Sequence, residues 1–327
     1  MIDFHYERAT NLDEASVLAN FADTMVIAGG TTLVDLAKLD VVRPETVVDI
    51  SRIPGLDAID VDASGAMIGA LAKMSRVADD PRIKDGFPAV AQSLSLAASQ
   101  QLRNMATIGG NLMQRTRCSY FRDPAAYPSC NKRTPGSGCA ALGGLTRNHA
   151  VLGTSEACIA TYPGDLAVAL VALDATLHVG RRTVAAEDFF LLPGETPERE
   201  TDLRQGEIIT AVSVPASPVA RRSTYLKVRD RQSYEFASAS AAVGLELADD
   251  GGTIADLRVA LGGVATKPWR ARAVEDALRG TPLDEEAVGE ASRLAVAEAV
   301  AFDGNAYKIE LVPRVIARAI LTLGGLA

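Results

Sequence analysis

Residues 25–38 read MVIAGGTTLVDLAK, and this stretch gives the clearest local indication of the fold. The apolar run 25–28 predicts a short strand, the GGTT sequence at 29–32 predicts a tight turn, and helical spacing starts at Leu33. Glycines let the backbone approach a pyrophosphate closely, and free N–H groups at a helix start attract its negative charge. The stretch therefore predicts a phosphate cradle, although a plain connection between a strand and a helix has the same pattern.

A second glycine pair lies within residues 107–111, which read TIGGN. This motif is a further candidate for a phosphate site, while a Gly-Gly turn at the end of the preceding helix is the simpler alternative. The G-x-G-x-x-A pattern at 136–141 is typical of dinucleotide binding but follows no strand, so we reject it. No G-x-x-x-x-G-K-[ST] sequence occurs, which argues against the common nucleotide triphosphatases.

Hydrophobic spacing along the rest of the chain predicts both strands and helices. Strands are expected near 47–50, 66–70, 176–179, 236–247 and 254–262, an apolar run lies at 166–173, and helices are expected near 12–21, 75, 89–102, 270–278, 285–300 and 312–323. The last two strands flank the DDGG sequence at 249–252, which predicts an antiparallel hairpin. The PASP sequence at 215–218 marks a predicted domain boundary, and the order of elements beyond it indicates an α+β fold.

The bulk composition is that of an ordinary globular protein. With 327 residues, 48% hydrophobic and 23% charged, the chain is long enough for two domains. Its net charge of −8 argues against nucleic acid as a general partner, because phosphate binding needs a basic face. No apolar run is long enough to span a membrane, and residues 1–6 show no secretory signal. We therefore expect the chain to stay in the cytoplasm unless a partner subunit exports it.

All the cysteines of the chain lie in one segment, at Cys118, Cys130, Cys139 and Cys158. The residues from 107 to 158 also include six cations, which are Arg115, Arg117, Arg122, Lys132, Arg133 and Arg147, against only Asp123 and Glu156. An iron–sulfur cluster held by four thiolates is a net anion, and a basic shell would stabilise it and favour the thiolate form of its ligands. The grouping favours a 4Fe–4S site.

Three alternatives to a cluster stay open for these cysteines. Structural zinc usually takes cysteines in close pairs such as C-x-x-C, and no pair here is that close. Two disulfides need only an even number of cysteines and an oxidising compartment. Unrelated buried thiols are the simplest alternative, because free cysteine packs as a small hydrophobic residue.

Taken together, these motifs resemble the FAD-binding subunits of molybdenum hydroxylases, the superfamily of xanthine dehydrogenase and aldehyde oxidoreductase. The resemblance is carried by residues 27–33 (IAGGTTL), 107–112 (TIGGNL) and 164–166 (GDL), whose order and separation agree along essentially the whole chain. The cysteine segment is similar to the cluster-bearing insertion in the FAD subunit of bacterial periplasmic aldehyde oxidoreductases. Most family members have a short loop at this place. The resemblance therefore defines the substrate class of the chain less well than it defines the flavin cofactor.

The resemblance implies an α+β fold in two parts. A two-part FAD-binding domain of the vanillyl-alcohol-oxidase (PCMH) type is expected at 1–217, with the cysteine-rich insertion at about 112–160. A smaller α+β domain, similar to the C-terminal domain of CO-dehydrogenase flavoproteins, is expected at 218–327.

The resemblance also implies roles for individual residues. The first glycine turn would hold the FAD pyrophosphate, Asp165 would contact the flavin side, and Lys227 would lie near the ring edge, a role that Arg229 or Arg231 could fill. The full set implied to bind FAD is Ile27, Ala28, Gly29, Gly30, Thr31, Thr32, Leu33, Thr107, Gly110, Asn111, Asp165 and Lys227. The four cysteines would bind the 4Fe–4S cluster.

The function implied is electron transfer in a larger oxidoreductase. A large subunit with the molybdenum cofactor would oxidise an aldehyde or an N-heterocycle, and a small 2Fe–2S subunit would pass the electrons to FAD in this chain. The assembly would be a heterotrimer or its dimer, and this chain would supply no catalytic side chain of its own. Export to the periplasm would depend on a partner's signal, with the cytoplasm as the alternative. The rival functions are a stand-alone flavin oxidase of the same fold and a zinc-stabilised scaffold without enzymatic activity.

Overall fold

The computed structural model describes residues 2–326, which form three sheets with helices packed between and around them. The strands are β1 His5–Arg8, β2 Thr24–Ile27, β3 Thr46–Asp49, β4 Ile59–Asp62, β5 Gly65–Gly69, β6 Thr176–Val179, β7 Arg182–Ala185, β8 Ile209–Pro215, β9 Ser223–Val228, β10 Ala239–Leu247, β11 Ile254–Gly262 and β12 Trp269–Arg270. The helices are α1 Leu12–Ala19, α2 Leu33–Lys38, α3 Met74–Asp79, α4 Pro81–Gly86, α5 Pro88–Leu96, α6 Gln100–Met105, α7 Ile108–Leu112, α8 Ser119–Arg122, α9 Asp165–Ala172, α10 Ala186–Phe189, α11 Pro218–Arg221, α12 Arg272–Leu278, α13 Glu285–Ser292 and α14 Tyr307–Gly324, with a 3₁₀ helix at Arg293–Val296.

The first sheet has three parallel strands in the order β1-β3-β2. Its strand β2 ends at Ile27, directly before the glycine turn, and helix α2 begins at Leu33. Helix α1 begins after Asn11, whose side chain accepts a hydrogen bond from the backbone N–H of Glu14. The predicted order of strand, turn and helix is therefore confirmed. The turn lies at the end of β2, which is an edge strand of this sheet.

The second sheet has five antiparallel strands in the order β4-β5-β8-β6-β7. The largest hydrophobic core lies on it and includes helices α5 and α9. All eight residues of α9 are buried, as expected of a helix that is apolar on every side. The sequence marked 166–173 only as an apolar run, because such a run does not distinguish a buried helix from a buried strand.

The third sheet has four antiparallel strands in the order β12-β11-β10-β9. Strands β10 and β11 form the predicted hairpin, and Ala241 on one pairs with Leu261 on the other. Helices α12, α13 and α14 cover this sheet and form a second hydrophobic core with it. The α+β fold is confirmed, while the domain boundary at residue 217 stays a prediction.

Two local predictions were wrong in detail. The helix expected at 89–102 is two helices, α5 and α6, because Ala98 has a left-handed backbone with φ +47° and Ser99 caps a new helix. The helix expected at 285–300 ends at Ser292 and continues as a short 3₁₀ helix. The TIGGN motif begins helix α7 with Thr107 as its cap, which differs from the alternative of a turn that ends a helix. No helix between residues 2 and 326 is both long and apolar enough to cross a membrane.

Candidate cofactor site

At Gly29 the first glycine turn lies against Met105 and Ala106, the residues that lead into the second motif. A methyl group at Gly29 would lie 2.3 Å from the carbonyl oxygen of Met105, so only glycine allows the first turn to approach the end of α6. The next residue, Gly30, has a left-handed backbone with φ +74°, which a side chain would strain. The contact with Met105 therefore requires glycine at position 29, and the left-handed backbone favours glycine at position 30.

The second motif is held rigidly next to this turn. The hydroxyl of Thr107 accepts a hydrogen bond from the N–H of Gly110 at 3.3 Å, and the N–H of Gly109 donates to Ala70 at 2.8 Å. A methyl group at Gly109 would lie 3.0 Å from the Ala70 side chain, so the helix and strand β5 approach closely. The side chain of Asn111 has a buried oxygen, Oδ1, with no hydrogen-bond partner among the described residues. A buried acceptor without a donor indicates a missing ligand or water.

Two clefts have Thr107 in their lining. One has a volume of about 320 Å³ and is lined by residues that include Ala28, Thr107 and Gly110. The other has a volume of about 310 Å³, and its lining includes Arg52, Lys73 and Arg76. Leu71 and Thr107 line both. Among the residues expected to bind the cofactor, Ala28, Thr107 and Gly110 line the first cleft. Those of the two glycine motifs that line neither cleft are Ile27, Gly29, Gly30, Thr31, Thr32, Leu33 and Asn111.

Asp165 and Lys227 form a buried ion pair. The Nζ atom of Lys227 lies 2.8 Å from Oδ2 of Asp165, and the side chains of Lys227 and Asp165 are 1% and 5% exposed, respectively. The hydroxyl of Tyr225 donates to Oδ1 of Asp165 at 2.6 Å and lies 2.9 Å from the hydroxyl of Ser240. Burial raises the pKa of Asp165, and Lys227 and Tyr225 oppose that rise. The pair lines neither cleft beside Thr107.

The structure distinguishes the three cations that follow one another on and after β9. Lys227 pairs with Asp165, and both Lys227 and Arg229 donate to the carbonyl oxygen of Leu96 at 3.1 Å. Arg231 instead forms an ion pair with Glu235 at 3.2 Å. Lys227 is therefore the partner of Asp165. Sequence reasoning missed Tyr225, which has the spacing of an ordinary inward-facing strand residue.

The four cysteines are free thiols held by the irregular loops of the insertion. Cys118 directly precedes helix α8, Cys130 and Cys139 face each other in an isolated antiparallel bridge, and Cys158 closes a turn with Ser155. Besides burial, the charges of Cys158 and Cys130 raise the pKa of Cys118, so these groups interact. No disulfide joins the four cysteines, which differs from the disulfide interpretation.

Burial dominates the ionisation of the two most enclosed thiols. It raises the pKa of Cys118 to about 12 and is also the main reason that the pKa of Cys158 is raised, although Lys132 opposes the second shift. Lys132 thus favours the thiolate form of Cys158, as expected of a basic residue, but burial outweighs its effect. A bound metal would have to displace the protons of both thiols.

Most cations of the insertion are paired with carboxylates outside it. Glu200 pairs with Arg115 and, at 2.6 Å, with Lys132. Asp35, on helix α2, pairs with Arg117 at 3.0 Å and also with Arg122. Asp230 pairs with Arg147 at 3.4 Å. The basic residues thus attach the insertion to three other parts of the chain, a use that their sequence positions alone did not reveal.

The cysteine arrangement does not suit a single metal ion. Among residues 2–326, no three His, Cys, Asp or Glu side chains converge closely enough to hold one. Structural zinc requires four ligands around one ion, so the zinc interpretation lacks support. In a 4Fe–4S cluster each thiolate binds a different iron, so the sulfur atoms need not converge on one point. Cys118 and Cys158 each interact electrostatically with two of the other free thiols, which is compatible with this larger group.

His149 is a neighbour of the cysteines that sequence reasoning considered structural. Its Nε2 atom lies 3.2 Å from Sγ of Cys118, and the residue is 4% exposed. Burial lowers the pKa of His149 to about 4, so the ring is neutral at physiological pH. His149 and Cys118 are 31 positions apart in the chain, so their spacing in the sequence did not indicate that they are in contact.

Comparisons with known proteins agree along the whole chain. Residues 2–217 match the family described as the FAD binding domain in molybdopterin dehydrogenase, and residues 224–323 match the CO dehydrogenase flavoprotein C-terminal domain. The chain is 47% identical over 279 residues to the aldehyde oxidoreductase FAD-binding subunit PaoB of Escherichia coli, covering 83% of this chain and 85% of that protein. It is 30% identical to the glyceraldehyde dehydrogenase medium chain of Sulfolobus acidocaldarius, covering 88% and 84%, respectively.

A solved structure shares the arrangement of both parts. The fold is similar to that of carbon monoxide dehydrogenase from Hydrogenophaga pseudoflava, in a form that lacks the Mo-pyranopterin moiety, with a TM-score of 0.77. The two chains are 28% identical, and the similarity covers 100% of each.

Proposed function

The chain belongs to the FAD-binding subunits of molybdenum hydroxylases, and from this membership we propose that it binds FAD at the clefts around Thr107 and a 4Fe–4S cluster at its cysteines. Its activity is that of an oxidoreductase subunit. Bound FAD would accept electrons from iron–sulfur centres and pass them to an external acceptor. The residues of this chain would bind, orient and shield the cofactors.

The proposal for FAD is carried by the junction of the two glycine motifs. Gly29 brings the first turn against the end of α6, Gly109 brings α7 against Ala70 at the end of β5, and Gly110 between them is exposed. The buried Oδ1 of Asn111 has no protein donor among the described residues and could accept a hydrogen bond from the cofactor. We propose as FAD ligands the residues Ile27, Ala28, Gly29, Gly30, Thr31, Thr32, Leu33, Thr107, Gly110, Asn111, Asp165 and Lys227.

The proposal for the cluster is supported by the four free thiols and by the rigid attachment of the loops that carry them. Ion pairs to Asp35 and Glu200 hold the first half of the insertion, from Arg115 to Lys132. The ligands proposed are Cys118, Cys130, Cys139 and Cys158. The chain would gain either an extra electron carrier or a centre that stiffens the insertion.

Iron and acid-labile sulfide, measured per FAD in anaerobically purified protein, test both cofactors. We expect about four of each per flavin, as a four-thiolate cubane requires. Cys139→Ser should lose iron but keep flavin, Gly30→Asp should lose flavin, and Ser129→Ala should change neither. Full iron in Cys139→Ser together with full flavin in Gly30→Asp would contradict the proposal.

For the reaction, we propose an aldehyde as the substrate of the complex, oxidised at a molybdenum cofactor in a large partner subunit. The similarity to an aldehyde oxidoreductase FAD-binding subunit supports this class. A small 2Fe–2S subunit would complete a heterotrimer or its dimer. Purification from the native host tests the assembly, since the chain should co-purify with both partners. An isolated chain that oxidises aldehydes alone would instead favour a stand-alone flavin oxidase.

For the location, we propose the periplasm, reached by export together with a partner subunit. This proposal rests on the resemblance of the cysteine insertion to that of periplasmic aldehyde oxidoreductases. Cell fractionation after expression of the whole complex tests it. Recovery of the complex with cytoplasmic marker enzymes would contradict it.

A further inference from the structure

Lys308, at the start of helix α14, is a buried cation. The residue is 1% exposed, and its Nζ atom donates to the carbonyl oxygen of Gly263 at 2.6 Å. Within the described part of the chain it forms no ion pair with a carboxylate. An isolated ammonium group is costly to bury, so its position calls for a nearby negative charge.

Lys308 lies near the cysteines through its contact with Gly263. The carbonyl oxygen of Gly263 accepts the Lys308 hydrogen bond, and Gly263 lines one cleft together with Cys118 and His149. His149 in turn contacts Cys118 through Nε2, 3.2 Å from Sγ. A negative charge carried by the cysteine site would therefore lie near the ammonium group of Lys308 and would balance it.

The segment that carries Lys308 also forms a wall of the cysteine site. The side chain of Asn305 is fully buried and donates to the carbonyl oxygens of His149 at 3.4 Å and Ala150 at 3.1 Å. Phe302 packs in the same hydrophobic cluster as Cys118 and Cys139. Residues 302–308 therefore fix the backbone at His149, so the imidazole cannot easily leave the thiol.

We infer that Lys308 supplies the counter-charge of the iron–sulfur cluster and that His149 donates a hydrogen bond from Nε2 to the Cys118 thiolate. This inference rests on the cluster proposed above. A cluster held by four thiolates is a net anion, which matches the unpaired ammonium. A thiolate has no proton to give, so a contact at 3.2 Å requires the imidazole to be the donor. Both residues are positioning residues that act on the cluster through its surroundings.

The two residues should raise the reduction potential of the cluster. Reduction adds a negative charge, and a nearby cation or a hydrogen bond to sulfur stabilises the reduced form more than the oxidised form. Removing either should shift the midpoint potential to more negative values. A merely structural residue would change stability without this shift.

The test is a redox titration of the purified complex, followed by the electron paramagnetic resonance signal of the reduced cluster. Lys308→Met and His149→Phe should each retain iron and show a more negative midpoint potential than the wild type. Lys84→Met removes a lysine that pairs with Asp79 on the surface, with 52% of its side chain exposed, and should leave the potential unchanged. Where Lys308→Met does not fold, Lys308→Gln and His149→Phe provide the measurement.

The outcomes separate this inference from the cluster itself. Iron-free wild-type protein would overturn the cluster and the inference together. Full iron with unchanged midpoint potentials in the Lys308 and His149 variants would overturn the inference alone. A lower melting temperature with an unchanged potential would assign both residues to folding and would also overturn it.

Discussion

The carboxylate of Asp165 and the ammonium of Lys227 lie 2.8 Å apart in the protein interior, although 62 positions separate them in the chain. Asp165 begins α9 in the core of the second sheet, and Lys227 lies on β9 of the third. The pair therefore joins the two largest parts of the molecule. Because both groups are almost fully buried, the contact between them offsets part of the cost of removing them from water.

Lys227→Met should destabilise the protein strongly, by about 3–5 kcal/mol, because it leaves the Asp165 carboxylate buried without a cation. Urea unfolding of the purified chain measures this change. The double variant Asp165→Asn with Lys227→Met carries neither charge and should recover part of the lost stability. A double variant whose loss of stability equals the sum of the two single losses would show that the pair does not act as a unit.

Tyr225→Phe should cost about 1.5–3 kcal/mol, since it removes a hydrogen bond to a charged carboxylate while keeping the ring. We also expect weaker retention of FAD, because the hydroxyl fixes the orientation of Asp165. Equilibrium dialysis of the flavin measures the second effect. Tyr6→Phe, at a partly exposed residue in the first sheet, is a control for flavin retention. Equal flavin retention by Tyr225→Phe and wild type would argue against a role of Asp165 at the flavin.

Gly29→Ala should separate the two glycine motifs and release FAD. The added methyl group would lie 2.3 Å from the Met105 carbonyl oxygen, and such overpacking typically costs about 1–3 kcal/mol. Gly289→Ala is the matched control, because its methyl group meets nothing within 4 Å and lies in helix α13. That control should be neutral or more stable by about 0.5–1 kcal/mol. Flavin absorbance after gel filtration reads out both variants, and a yellow Gly29→Ala protein would contradict the prediction.

Acid should loosen the cysteine insertion through Glu200. Burial raises the pKa of this carboxyl, but Arg115 and Lys132 lower it further than burial raises it. A carboxyl with a depressed folded pKa stabilises the protein fully above its unfolded value of about 4.3. This contribution disappears as the pH falls through the lower, folded value.

Unfolding free energies measured from neutral to acidic pH test this prediction. Glu200→Gln should be less stable than the wild type at neutral pH, and the difference should shrink as the pH falls. Glu198→Gln changes an exposed carboxylate two positions away and should follow the wild type throughout. A Glu200→Gln deficit that is independent of pH would indicate lost packing instead of a lost charge.

Local patterns predicted most of the elements but few of the contacts between them. The turn at 29–32, the hairpin of β10 and β11 and the α+β fold follow from spacing and from glycine positions, which are short-range signals. The break between α5 and α6 was missed because the helical spacing of the apolar residues indicated one continuous helix. Ser99 was available in the sequence as the cap of a new helix. Thr107 was likewise an available cap for α7, so the direction of the TIGGN motif could have been predicted.

The site residues that sequence reasoning missed all act over long distances in the chain. Tyr225 approaches Asp165 across 60 positions, and Lys308 approaches Gly263 across 45. Nothing local distinguishes these side chains from a strand residue or a solvent-facing helix residue. Their identification needed burial and partners, which only the fold provides.

The ion pairs from the insertion to Asp35 and Glu200 have a consequence for the ancestry of the chain. A relative with a short loop in place of residues 112–160 has no cations there for these two carboxylates to meet. We therefore expect substitutions at positions 35 and 200 to accompany the appearance or loss of the cysteine segment between lineages.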